Sequence, residues 1–154
     1  MTQPAFFDQV MKHFRYLIDN YGFSEVYRRY DPESFGNCIF VLQSQNGRVM
    51  VVQERSQAII YVASLSKPEK WFDLAKITDF LTEGDEKLHW EYVRPDPSLD
   101  PISDIDRQVS RIANILRPYW QQIIELFRQE TFDQKEKDLE QFMIKWDRER
   151  WKKL

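Results

Sequence analysis

At 154 residues the chain has the length of one domain of ~100–200 residues. Its composition, 42 % hydrophobic and 31 % charged, excludes a disordered chain, which could not bury enough apolar surface to order itself. The net charge of −3 argues against a dedicated nucleic-acid binder, whose affinity for phosphate rests on a basic surface. One cysteine, Cys38, excludes an internal disulfide, and with only two histidines a Cys/His zinc site is not expected.

The first element reads as a helix. Phe7, Val10, Met11, Phe14, Leu17, Ile18 and Tyr21 recur at spacings of three and four, which places them on one helical face. Pro4 suits the entry, where its missing N–H costs nothing, and Gly22 suits a left-handed stop. The period then changes. Residues 23–30, 37–44, 48–55 and 58–65 are rich in β-branched and aromatic side chains and read as four strands of an antiparallel meander. Between the second and third strands, Asn46-Gly47 is the dipeptide of a type I′ turn. Lys67-Pro68 ends the meander, and Asp73 is placed to cap a short helix over 74–82 that Gly84 stops. Residues 88–94 read as a fifth strand.

Residues 94–101 contain Pro95, Pro97 and Pro101 and form a non-helical connector. The next helix is expected from Ser103, as its N-cap, to Phe127, with a kink at Pro118 where a ring replaces an N–H. Thr131-Phe132-Asp133-Gln134 matches a capping box for a last helix, with Leu139, Phe142, Met143 and Trp146 on its inner side. The chain is therefore expected to be a single α+β domain with an N-terminal helix, a four- to five-stranded meander and C-terminal helices packed on the sheet.

Two features exceed what a simple core needs. The meander strands are apolar on both faces: Val49 and Val51 alternate with Met50 and Val52, and Ile59 and Tyr61 with Ile60 and Val62. A sheet with one wet face alternates apolar with polar, so either helices cover both faces or another molecule covers one. On the last helix, Ile144, Trp151 and Leu154 form a second apolar side, which raises a homodimeric structural or adaptor role through that helix.

Little points to catalysis or to a bound group. His13 and His89 stand singly and read as surface residues, since no His or Cys pair has metal-ligand spacing. Cys38 lies in an apolar strand and reads as a small buried hydrophobe. The four scattered glycines make no phosphate loop. Tyr27-Arg28-Arg29-Tyr30 is suggestive of nucleic-acid contact but reads as an edge strand protected by charge. No catalytic, cofactor or metal residue is assigned. Residues 66–106 carry eleven acidic and five basic side chains, a net −6 counted along the sequence. Asp73, Asp79, Glu83, Asp85, Glu86 and Glu91 lie close in sequence there, so a carboxylate-dependent, metal-assisted hydrolase is a lesser alternative if they converge in a pocket.

The helix, the junction Asp19-Asn20-Tyr21-Gly22-Phe23, the meander and the paired C-terminal helices together resemble small bacterial α+β proteins of uncharacterised families, some of which are immunity proteins of toxin systems. That resemblance implies a non-enzymatic binding protein acting by shape and charge, in a bacterial conflict system. The acidic middle is the candidate surface for a basic protein partner. Trp71, Asp85, Glu86, Trp90, Glu91, Tyr92 and Trp151 are the candidate partner-binding residues, because aromatic side chains anchor interface centres. No run approaches the ~18 apolar residues of a membrane span and no secretory signal opens the sequence, so a cytoplasmic protein without membrane or nucleic-acid partners is expected.

Overall fold

The computed structural model describes residues 4–152, together with the side chains of all of these except 150 and 151. The chain opens with α1 (Ala5–His13) and α2 (Arg15–Tyr21). The apolar stripe predicts one helix, but Phe14 leaves helical geometry (φ −98°, ψ 18°) and separates two. Gly22 closes α2 in the left-handed region at φ 73°, as expected.

Four long strands follow, β1 (Ser24–Asp31), β2 (Asn37–Ser44), β3 (Gly47–Glu54) and β4 (Gln57–Ala63), and then the two-residue β5 (Phe72–Asp73). They form one antiparallel sheet in the order β1-β2-β3-β4-β5. The fifth strand is thus Phe72–Asp73, paired with Tyr61 and Val62, and not residues 88–94. That segment alternates like a strand because Trp90 and Tyr92 point inward, yet it works as a strap. Tyr92 Oη accepts from the Ile60 amide (3.3 Å) and donates to Asp73 Oδ1 (2.8 Å). Further along the same edge, Gln108 Oε1 takes the Ala58 amide (2.9 Å) and Gln108 Nε2 donates to the Ser56 carbonyl (2.9 Å). Side chains therefore finish a ladder that β5 is too short to complete, as buried backbone groups require.

The hairpin turns also differ from the Asn-Gly reading. Ser44 pairs with Gly47, so the two loop residues are Gln45 and Asn46, and neither has positive φ. Gly47 instead opens β3 at φ 142°, where an added Cβ would stand 3.1 Å from the Ala63 carbonyl. The type I′ geometry occurs one hairpin later. Glu54 pairs with Gln57, and Arg55 and Ser56 between them have φ 50° and 69°. Both central residues of that turn need positive φ.

After α3 (Leu74–Leu81), capped by Asp73 through the Ala75 amide (2.8 Å), come α4 (Pro101–Leu116), a 3₁₀ turn at Arg117–Tyr119, α5 (Trp120–Phe127) and α6 (Phe132–Lys152). The cap of α4 is Asp100, whose carboxylate accepts from the Ser103 amide (2.9 Å) with Pro101 at the first helical position. Ser103 is thus inside the helix, not its cap. At Pro118 the predicted kink takes the form of that 3₁₀ turn, which divides α4 from α5 while Leu116, Arg117, Tyr119 and Trp120 keep right-handed helical geometry.

Cross-strand partners share a face, so the register sorts the sheet. Cys38, Phe40, Leu42, Val49, Val51, Ala58, Ile60 and Val62 face the helices and join one core with Phe6, Leu17, Ile77, Ile112, Trp120 and Phe132. Tyr16 locks this layer: its hydroxyl donates to the Ala113 carbonyl (2.7 Å) and accepts from Trp120 Nε1 (2.8 Å), and burial pushes its phenol upward from the usual range. Ile39, Val41, Met50, Val52, Ile59 and Tyr61 lie on the opposite face, outside that cluster; Val41 is buried there and the other five are half-buried. Among the described residues the helices cover one face only.

Candidate functional site

The acidic segment folds back on itself because α3 ends abruptly. The Glu83 amide bonds the Phe80 carbonyl (3.2 Å) and the Gly84 amide the Asp79 carbonyl (2.8 Å), with φ of 56° and 73° at Glu83 and Gly84. This is a Schellman stop that turns residues 82–90 across the end of the helix and toward α6. A cleft of about 510 Å³ results, lined by Asp79, Glu83, Gly84, Glu86 and His89 on one side and by Phe142, Lys145, Trp146 and Glu149 of α6 on the other.

Asp79 forms its inner wall. It is only 3 % exposed and sits in the last turn of α3, where the helix dipole disfavours a negative charge. A buried carboxylate in that position needs donors. Two converge on it: His89 Nδ1, at 2.9 and 3.0 Å from the two carboxylate oxygens, and the indole N–H of Trp146 on Oδ2. His89 Nε2 lies 3.2 Å from Glu91 Oε1, so the imidazole bridges two carboxylates. Lys76 Nζ stands 5.1 Å from the Trp146 ring and 3.0 Å from Asp147. Nearer the start of α6, Lys67 and Lys70 both donate to Glu136 and hold its carboxyl below the usual range. Helix α6 is thus fastened to the acidic segment by polar contacts along its length.

The residues singled out in the sequence do not form one surface. Glu86 lines the cleft and Glu91 borders it through His89. Asp85 is exposed and caps its own turn through the Lys87 amide (3.0 Å). Trp90 is 6 % exposed, with its indole N–H donated to Thr78 Oγ1 (2.7 Å) and its ring edge-on to Tyr92 at 5.1 Å. Tyr92 is the strap on β4, its phenol pushed upward by burial and by Asp73. Trp71 lies elsewhere, under the Arg48 guanidinium at 5.0 Å. The side chain of Trp151 and all of Leu154 fall outside the described residues. Neither histidine is a free surface group, for His13 bonds Asp106 (2.8 Å) between α1 and α4.

Sequence reading missed Asp79 as the organising residue, together with His89 and Trp146. The spacing of Asp79 to Trp146 is 67 residues, and no local pattern marks such a pair. Of the acids needed for a shared pocket, Asp79, Glu83 and Glu86 converge, whereas Asp73 caps α3 and Asp85 its loop. Among the described residues no three His, Cys, Asp or Glu side chains are grouped so as to hold a metal ion, and no helix is long and apolar enough to cross a membrane. No family model, curated protein or solved structure matches the chain significantly.

Proposed function

We propose that the chain is a non-enzymatic protein-interaction module, immunity-like in its mode of action, whose acidic cleft receives a basic side chain of a protein partner. The cleft itself carries the reading: four carboxylates (Asp79, Glu83, Glu86 and Glu149) against the single ammonium of Lys145, beside the rings of Phe142 and Trp146. Aromatic walls and acidic rims suit a guanidinium or ammonium group, which gains from both. Steering by such a rim weakens as salt rises.

The test uses short arginine-rich, lysine-rich and glutamate-rich peptides, with binding read from tryptophan fluorescence. The basic peptides are expected to bind with an affinity that falls with salt. The triple reversal E83K/E86K/E149K, on exposed residues, should weaken them by about tenfold or more. Equal binding of the acidic peptide, or none by any peptide, rejects the reading. A second reading rests on the Asp79–His89 pair, since a carboxylate-oriented imidazole at a cleft is also how a general base is held. Hydrolysis of an ester or phosphodiester that disappears in His89→Ala would put a hydrolase in place of the interaction module.

A further inference from the structure

The uncovered face of the sheet has no part in the cleft. Its centre is five half-buried apolar side chains, Ile39, Met50, Val52, Ile59 and Tyr61, around Val41, which is 3 % exposed, with Tyr27 46 % exposed at one side. We infer that a second copy of this chain packs on that face, giving an isologous dimer of helix–sheet–sheet–helix layers.

Two observations select a second copy as the occupant. The first is charge. Along β3 the residues on this face read Arg48, Met50, Val52, Glu54, basic at one end and acidic at the other with an apolar middle. A two-fold axis lying across β3 between Met50 and Val52 places Glu54 of each copy opposite Arg48 of the other. That guanidinium, 17 % exposed, is already held within its own chain by the Pro68 carbonyl (2.7 Å), Glu69 (3.6 Å) and the Trp71 ring, so that Glu54 adds a second carboxylate to it. The flanking strands are symmetric about the same line: β2 presents Asn37 and Gln43 at its ends around Ile39 and Val41, and β4 places Gln57 and Ala63 around Ile59 and Tyr61. β1 adds Arg29 and Asp31, which are ion-paired at 3.0 Å within each copy, and on β3 no residue meets a like charge across that axis, as a self-complementary surface requires. The second observation is size. Four strands ~4.8 Å apart and about seven residues long at ~3.4 Å per residue span a plane of ~20 by ~24 Å. Such a plane of ~480 Å² supplies a little over half of the ~800 Å² per partner of a standard interface, the surrounding rim of β1 and the strand ends supplying the rest. The free edge at β1 is a poorer route to pairing, because the register shifts at Glu25/Tyr27 and a bulge there twists the edge away.

Sedimentation equilibrium of the full chain from micromolar to millimolar concentration tests this. A mass of two chains is expected, falling to one in M50K/V52K while circular dichroism and melting temperature stay those of a folded protein. Glu54→Arg should raise the dimer dissociation constant by about tenfold or more, and R48E/E54R should recover it. A single-chain mass for the parent protein at every concentration overturns the inference. So does an M50K/V52K variant that dimerises as tightly as the parent, or a folded R48E/E54R variant no tighter than Glu54→Arg. Should R48E/E54R not fold, the lysine pair decides alone. The reversal E83K/E86K/E149K leaves the dimer intact, so failure here and failure of the cleft reading are separate results.

Discussion

At positions 55 and 56 two residues with Cβ atoms, Arg55 and Ser56, hold φ of 50° and 69°, a conformation that costs an L-residue roughly 1–2 kcal/mol. Neighbours offset this. Asn37 Oδ1 accepts from the Arg55 amide (2.9 Å), and the Arg55 guanidinium lies 4.5 Å from the Phe35 ring. Because the amide and carbonyl contacts belong to the backbone, R55N/S56G keeps them and removes the strain. Chemical denaturation should show a gain of about 1–2 kcal/mol. The Asn-Gly signal was legible, but it sits where Gly47 is needed for clearance, and the true left-handed pair carries no sequence mark. Asp73 gives a second residue-scale expectation. Burial raises its carboxyl above the ordinary 3.8, against the bonds from Tyr92 and the Ala75 amide. The folded form then holds its proton to higher pH than the unfolded chain. Its contribution is therefore greatest below pH 3.8 and is lost as pH rises through the folded value. Both strong donors use the same oxygen, Oδ1, so Asp73→Asn keeps them without the buried charge. Melting curves across pH should show Asp73→Asn more stable than the parent at pH 7 and flatter above pH 4, whereas Asp73→Ala loses about 1–2 kcal/mol of cap.

Among the elements, α6 shows how position along a helix divides structure from surface. Phe132 and Leu139 are fully buried, the former stacked on Phe127 with ring centroids 5.3 Å apart, while Ile144 is 60 % exposed. Leu139→Ala should therefore cost about 2–5 kcal/mol in urea unfolding, and Ile144→Ala no more than about 0.5 kcal/mol. The inner stripe of this helix was readable from its period, as were the four long strands from their β-branched runs. The fifth strand was not. Residues 88–94 have the alternation of a strand, but three neighbouring prolines and the hydrogen-bonding tips of Trp90 and Tyr92 suit a strap better than a ladder. Phe72–Asp73 is too short for any pattern to announce it. Ser103 lost the cap of α4 to Asp100 because Pro101 provides the preset first turn.

At the scale of the molecule, the described helices lie on one side of the sheet and a largely apolar surface on the other. The two-faced apolar pattern of the strands left open whether helices cover both faces, and that depended on where α1, α3 and α4 could reach. Hydrogen exchange should follow this layering: β3, bonded on both flanks, exchanges slowest, and the outward amides of β1 fastest. Equal protection of β1 and β3 in the isolated chain would contradict it. The acidic middle was likewise visible as a net charge, but its gathering around Asp79 came from long-range contact. Asp79 fastens α3, the 82–90 turn and α6 at a single carboxylate, and that has a thermodynamic corollary. A guest that draws Asp79 away from Trp146 must loosen the final helix, whereas one that engages only the outer acids and leaves the pair closed must tighten it. The rigidity of α6 thus reports how deeply any occupant has entered, and by reciprocity a change that slackens α6 alters the grip of the cleft in the matching sense.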